Sequence, residues 1–284
     1  PLFFISLVGL IVVLIPGVGV KSLGARRWLN IFSYSFQPSE LVKLTLAIYF
    51  AKLASKEMKA LSYFVPLGMV VGLIMLEPDL GTTLVISAIG MVQIFVSGIN
   101  LLYFFGATAA AGVIGTLLIV LSDYRRDRLL TFFQQTTDPL GKSYHIRQIL
   151  LALGSGGLFG VGLGQSRQKY LFLPEAATDS IFAVIAEEVG FVGSTALIGL
   201  FVWFIYRALK VSASAPDTFS KVLSIGLITW IGGQAFLNIG SMVALVPLTG
   251  IPLPFFSYGG SSLVMTMIAA GILLNISRYG KKKK

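Results

Sequence analysis

Lys169 to Glu188 reads KYLFLPEAATDSIFAVIAEE, a polar loop running into an apolar helix, with Asp179 at the junction. A carboxylate placed where a loop re-enters a membrane meets water, lipid headgroups and a buried polar network at once. That is a position for chemistry, provided a membrane is there.

Working outward from Asp179, the apolar run that follows it is one of a series. The chain has 284 residues, of which 55% are hydrophobic and 12% charged, and runs of helical length alternate with short polar turns. A bilayer's hydrocarbon demands about 20 apolar residues per spanning helix, and backbone polar groups in lipid must be satisfied within the helix or a closed barrel. The fold class read from this pattern is all-α, a polytopic helical membrane protein.

The pattern predicts about eight spans: Leu2 to Ile15, Leu41 to Ala54, Tyr63 to Leu76, Thr82 to Ser97, Leu101 to Ser122, Ser180 to Tyr206, Val222 to Val246 and Ser261 to Ile276. The first is short, starts at Pro1 without a methionine and lacks a charged flank, which points to the loss of one or more N-terminal helices. It reads as a spanning helix, not as a cleaved leader. Cysteine is absent, which rules out disulfides and thiolate metal sites, and the lone histidine, His145, is too little for a histidine-based metal site.

Basic residues set the orientation. Lys52, Lys56 and Lys59 fall in one connection, Arg207, Lys210 and Lys221 in another, and Arg278 with Lys281 to Lys284 closes the chain. Counting spans puts all three on one face, which the positive-inside rule makes cytoplasmic. The segments 123–178 and Pro247 to Ser257 then face outward, 123–178 as one large extracytoplasmic loop of a single membrane domain over 1–284.

Against that bias, the outward segments carry Lys21, Arg26, Arg27, Arg125, Arg126, Arg128, Lys142, Arg147, Arg167 and Lys169. Cations at an outer interface suit phosphate or pyrophosphate through charge-assisted, bidentate hydrogen bonds. For any single one of them, snorkelling to lipid headgroups is an equally good account. The large loop is rich in glycine, from Gly154 to Gly164, and its apolar residues argue against disorder. Ile146, Ile149, Leu150 and Leu153 recur at helical spacing and predict a short amphipathic helix on the membrane surface.

Three further polar clusters flank apolar runs. In GARRWLNIFSYSFQPSELVK, Gly24 to Lys43, the Pro38–Ser39 pair resembles a helix start, with Glu40 in the first turn and Lys43 on the same face. Glu77, Pro78 and Asp79 interrupt the chain between two spans, and PLTGIPLPFFSYGGSS, Pro247 to Ser262, makes a stiff non-helical approach to the last one. Each has a plain reading: a self-neutralising pair, a water-facing turn, a re-entrant segment. A charge inside a span costs about 2.5 to 3.5 kcal/mol on insertion scales, which favours function for Lys43, Glu187 and Glu188 over the loop charges.

Together these segments resemble the SEDS family (shape, elongation, division and sporulation), the polytopic glycosyltransferases that polymerise peptidoglycan strands. The resemblance rests on GARRW at Gly24 to Trp28, FQPSELVK at Phe36 to Lys43, EPDLGT at Glu77 to Thr82, GSGGLFGVGLGQSRQK at Gly154 to Lys169, LPEAATDSIFAVIAEEVG at Leu173 to Gly190 and GIPLPFFSYGGSS at Gly250 to Ser262. Each motif alone is weak, but in this order, over nearly the whole chain, they are highly specific. The wording around Asp179 is closer to the division-type FtsW branch than to the elongation-type RodA branch. The family often has a histidine before the TD pair, where this chain has Ala177, so that position is not essential to chemistry here. The family fold has about ten spanning helices, of which this chain would lack the first two.

The resemblance implies polymerisation of lipid II, a disaccharide-pentapeptide on an undecaprenyl pyrophosphate, outside the cytoplasmic membrane. It places the family's catalytic aspartate on Asp179, as the base that takes the proton from the acceptor hydroxyl in an inverting displacement. Arg26, Arg27, Glu40, Lys43, Lys169 and Glu175 are the expected substrate-binding residues, with a divalent cation, Mg or Mn, as the one cofactor admitted. A class B penicillin-binding protein is the implied partner, and no nucleic acid is. Two other classes compete: a flippase for lipid-linked precursors, which would favour inward-facing polar sites and internal repeats, and a non-enzymatic division scaffold, which would need none of the outer-face charges.

Overall fold

A computed structural model of the chain describes residues 1–22, 25–31, 34–122, 126, 130, 132–133, 144–169 and 173–280. Arg125, Arg128, Lys142 and Lys281 to Lys284 lie outside the described residues. Helices run over α1 (Leu2–Leu14), α2 (Pro38–Ala54), α3 (Leu61–Leu76), α4 (Leu80–Val96), α5 (Leu101–Val120), α6 (Tyr144–Ser155), α7 (Ile181–Ala213), α8 (Thr218–Met242) and α9 (Gly260–Tyr279). A helix is present at each position where the sequence predicts a span. Among the described residues, four helices, α5, α7, α8 and α9, are long and apolar enough to cross a membrane by themselves, while α1, α3 and α4 are shorter apolar helices. The chain is a multi-pass membrane protein.

Local sequence explains the helix starts. Pro38 occupies the first turn of α2, where its missing N–H costs nothing. Asp79 caps α4, its Oδ1 accepting the Thr82 N–H at 3.0 Å. Arg207 and Lys210, expected in a connection, instead sit on α7, which continues to Ala213.

The segment between α1 and α2 holds a three-stranded antiparallel sheet, β1 (Gly19–Ser22), β2 (Ala25–Ile31) and β3 (Tyr34–Phe36), in the order β1-β2-β3. The sequence reading gave this stretch no strands. The strands are short and carry Lys21, Arg26 and Arg27 where a buried face would show alternating apolar residues, so the period is hidden.

The chain divides into two compact units interleaved along the sequence: 1–107, 205–233 and 259–284 form one, and 108–204 with 234–258 the other. The first unit is cored by residues of α1 to α4, among them Leu10, Val42, Phe50, Tyr63, Val70 and Ile86. There Phe50 meets Tyr63 edge to face, centroids 5.3 Å apart. The core of the second unit joins α6, α7 and α8 through Ile149, Ala152, Phe182, Ala183, Phe201 and Ala235. The expected amphipathic helix is α6, with Ile146 and Ile149 buried and Leu153 packed against the core, whereas Leu150 faces outward.

Helix α7 is broken. Gly190 has φ 69° and ψ −169° in the middle of the apolar run, a conformation that favours glycine. The glycine loop after α6 threads into the gap. Val161 and Gly162 donate their N–H groups to the carbonyls of Glu187 and Glu188 at 3.0 and 3.1 Å, while Phe191 and Val192 donate to those of Gly157 and Leu158 at 2.9 and 3.1 Å. Irregular backbone at membrane depth is tolerated only when protein satisfies it, and this exchange does so. A Cβ on Gly190 would lie 2.3 Å from the Gly160 nitrogen and one on Gly160 2.1 Å from the Glu188 oxygen, so neither position admits a side chain.

Candidate active site

Within the second unit the turn Glu175 to Ser180 presents Asp179, half-buried, just ahead of α7. Ser180 is the residue that starts the helix: its carbonyl accepts the N–H groups of Ala183 at 3.0 Å and Val184 at 3.4 Å. Asp179 is therefore one residue too early to be the helix cap.

The turn is gripped through its main chain. Ser257 Oγ donates to the Thr178 carbonyl at 2.6 Å and accepts from the Leu253 N–H at 2.6 Å. Tyr258 N–H donates to the Ala177 carbonyl at 2.8 Å. From α8, the Asn238 amide donates to the carbonyls of Asp179 at 2.8 Å and Ile251 at 2.7 Å. Ser180 Oγ donates to the Pro174 carbonyl at 3.0 Å and lies 2.9 Å from His145 Nε2 of α6. With the serine proton committed to Pro174, the histidine is the donor in that contact. The segment Pro247 to Tyr258, part of the stretch Pro247 to Ser262 expected as a stiff non-helical approach to the last span, thus forms one wall: Gly250 approaches so closely that a Cβ there would stand 3.3 Å from Asp179 Oδ2.

The other residues of this unit that the sequence singled out are engaged as follows. Glu175 Oε2 accepts the Thr178 hydroxyl at 2.7 Å. Lys169 Nζ bridges Glu188 Oε1 at 2.7 Å and the Gly164 carbonyl at 2.8 Å, which ties it to the glycine loop. Glu187, 2% exposed, accepts the Ser166 hydroxyl at 2.6 Å and the N–H groups of Arg167 and Gln168 at 3.1 and 3.4 Å. A carboxylate used this way holds a loop.

In the first unit, Lys43 Nζ pairs with Glu40 Oε1 at 2.7 Å, both side chains 2% exposed, as their spacing predicted. The ammonium also lies 5.0 Å from the centre of the Trp230 ring, a cation–π contact that the sequence did not announce. Arg27 donates from Nε to the Glu77 carbonyl at 3.1 Å and from Nη2 to the Pro78 carbonyl, with Asp79 Oδ2 3.7 Å from Nε. It bolts the sheet to the α3–α4 turn. Arg26, its neighbour on β2, projects from the opposite face of the strand. Glu77, in that turn, is buried and its carboxyl oxygens have no hydrogen-bond partner among the described residues; burial, and secondarily Asp79, pushes its pKa up to about 8 against the pull of Arg27. Among the described residues no group of three His, Asp or Glu is placed to hold a metal ion, so the expected divalent cation finds no such protein cage there.

Sequence reasoning missed Asn238, Ser257 and His145 as supports of the Asp179 turn. Asn238 left the strongest trace, one of two carboxamides, with Gln234, in an apolar span, where polar residues bond across helices.

The chain as a whole is similar to known proteins. The family model described as cell cycle protein, FtsW, RodA and SpoVE, matches residues 1–282. Stage V sporulation protein E of Bacillus subtilis is 43% identical over 282 residues, covering 96% of this chain and 76% of that protein. A probable peptidoglycan glycosyltransferase FtsW of Trichlorobacter lovleyi is 40% identical over 285 residues, covering 98% and 75%. Among solved structures, the rod shape determining protein RodA of Thermus thermophilus has 31% identity and a TM-score of 0.70, covering 100% of this chain and 78% of that one. A chain from work described as structural coordination of polymerization and crosslinking by a peptidoglycan synthase complex reaches a TM-score of 0.79 at 31% identity, covering 100% and 81%.

Proposed function

The chain belongs to the FtsW, RodA and SpoVE family of cell cycle proteins, and from that premise we propose how it carries out its reaction. It is a peptidoglycan glycosyltransferase of cell division or cell shape, the activity named in relatives about 40% identical over most of the chain. Its substrate is lipid II. Asp179 takes the proton from the 4-hydroxyl of the acceptor GlcNAc as that oxygen attacks C1 of the donor MurNAc. The bond from C1 to the pyrophosphate oxygen breaks on the opposite face, inverting the centre, and the lipid pyrophosphate departs with the electron pair.

The observation that carries this reading is the Asp179 turn: half-buried, not the helix cap, and fixed through the carbonyls of residues 177, 178 and 179. A base needs its carboxylate held at one place within reach of the acceptor. The leaving pyrophosphate asks for positive charge more than for an acid. Arg26 is suited to supply it, Arg27, engaged on the α3–α4 turn, supports the sheet that carries Arg26, and Lys43, buried against Glu40, would act through that pair.

The active site faces outward from the cytoplasmic membrane, and a class B penicillin-binding protein crosslinks the strand it makes. The positive-inside argument supports the first, and the likeness to a chain of a peptidoglycan synthase complex the second. Because the chain has no cysteine, Arg147→Cys on α6 should react with an impermeant thiol reagent from outside, and Lys56→Cys should not; the reverse pattern removes the external reading. For the activity itself, purified protein given lipid II should yield a ladder of glycan strands on a gel, whereas a flippase or a scaffold yields none.

A further inference from the structure

Asn238 sits on α8, 1% exposed, and gives its amide to two backbone carbonyls of different segments, Asp179 at 2.8 Å and Ile251 at 2.7 Å. Both partners are acceptors, so the amide nitrogen must be the atom that faces them. Neither carbonyl is an ordinary helix acceptor. The N–H of Ala183, four residues on from Asp179, goes instead to Ser180 at 3.0 Å, so the usual i+4 donor of the Asp179 carbonyl is used elsewhere. Ile251 lies between glycine and proline in a non-helical segment, where a spanning chain offers no other strand to pair with. Buried carbonyls of this kind must find a donor.

We propose that Asn238 is a positioning residue for the glycosyl transfer: it locks the main chain of Asp179 to the 247–258 wall, and so fixes where the Asp179 carboxylate stands. Two further bonds run between the same two segments, from Ser257 to Thr178 and from Tyr258 to Ala177. Asn238 differs from them in standing outside both. It anchors the joined pair to α8, where Gln234 also donates to the Pro252 carbonyl of the wall at 2.9 Å and Asn238 adds the bond to the Asp179 turn. The Asp179 bond is also made by the catalytic residue itself, and a shift of that carbonyl is a shift of its side chain. A misplacement of about 1 Å in a reacting group costs on the order of a hundredfold in rate.

This inference rests on the glycosyltransferase reading, and the test separates the two. Asn238→Leu keeps the volume and removes both donors. In the full chain it should lower kcat for lipid II polymerisation by about a hundredfold, counted per folded molecule, with KM within about twofold. Amide exchange at Tyr258, whose N–H bonds to Ala177, should rise in the same variant whatever the substrate. Parental kcat with parental exchange at Tyr258 overturns the proposal. Where Asn238→Leu fails to fold, Asn238→Ser decides: its single short hydroxyl cannot span both carbonyls, so raised exchange and lowered kcat support the lock, and parental values of both overturn it. A parent protein inert toward lipid II would remove the glycosyltransferase reading, while the exchange readout would still test the lock.

Discussion

Glu187 and Asp179 stand close together in the chain, both at the head of α7, and they are used in opposite ways. Glu187 is buried and its carboxylate is spent on the Ser166 hydroxyl and the N–H groups of Arg167 and Gln168. Asp179 is half-buried, and the neighbouring segments grip its turn by main-chain carbonyls. The first carboxylate builds the loop; the second is carried by it. The difference teaches that intramembrane cost alone does not locate chemistry. By that cost Glu187 ranks above Asp179, yet what repays its burial is a set of hydrogen bonds that shape the protein.

Changes that break this contrast should do so unequally. The largest effect belongs to the helix break that makes room for the glycine loop. Gly190→Val combines a disfavoured φ with a Cβ 2.3 Å from the Gly160 nitrogen, and should yield no folded, membrane-inserted protein on expression and size-exclusion analysis. Glu187→Gln is milder. It keeps one acceptor oxygen but brings an amide NH2 toward backbone donors, and should destabilise the protein by about 1 to 3 kcal/mol while activity per folded molecule persists. Full stability with a hundredfold loss of rate would make Glu187 the base and reverse the comparison.

Glu77 sharpens the contrast from the other side, as a buried carboxyl with no hydrogen-bond partner among the described residues. With its pKa raised from 4.5 to about 8, it stays protonated in the folded protein while the unfolded chain ionises. The stability that this protonation contributes is fully present below about pH 4.5 and is lost as pH rises through about 8. At pH 7 the loss is about 3 kcal/mol, at 1.36 kcal/mol per unit. Glu77→Gln removes it, so thermal unfolding of the variant should be flat between pH 5 and 8 relative to the parent, whose Tm falls. Parallel curves would show that Glu77 is already ionised in the fold.

Much of this was legible in the sequence because it is local. The spans follow from apolar runs, and α2 starts where Pro38 and Ser39 say it should. Glu40 and Lys43 pair because they are three residues apart on one helix, and Asp179 was visible as a carboxylate where a loop meets a span. The rest depends on contacts between distant segments. Asn238 reaches Asp179 across 59 positions, and Arg27 reaches Glu77 across 50. A single glycine in an apolar run reads as tolerated, so the break at Gly190 was hidden. Its necessity appears only when Gly160, from another segment, is seen lying against it. For the same reason the sequence marks Glu187 as a charge inside a span but not the loop that it binds.

The central claim is that Asp179 moves the proton, and the rate of Asp179→Asn tests it most directly. Asparagine keeps the size and hydrogen-bonding capacity but cannot accept the acceptor sugar's proton, and since Ser180 rather than Asp179 starts α7, the helix loses no cap. Lipid II consumption measured beside a thermal-unfolding scan should show polymerisation reduced by at least the roughly hundredfold typical of a lost general base, at the parental Tm. Polymerisation at the parental rate would contradict the account.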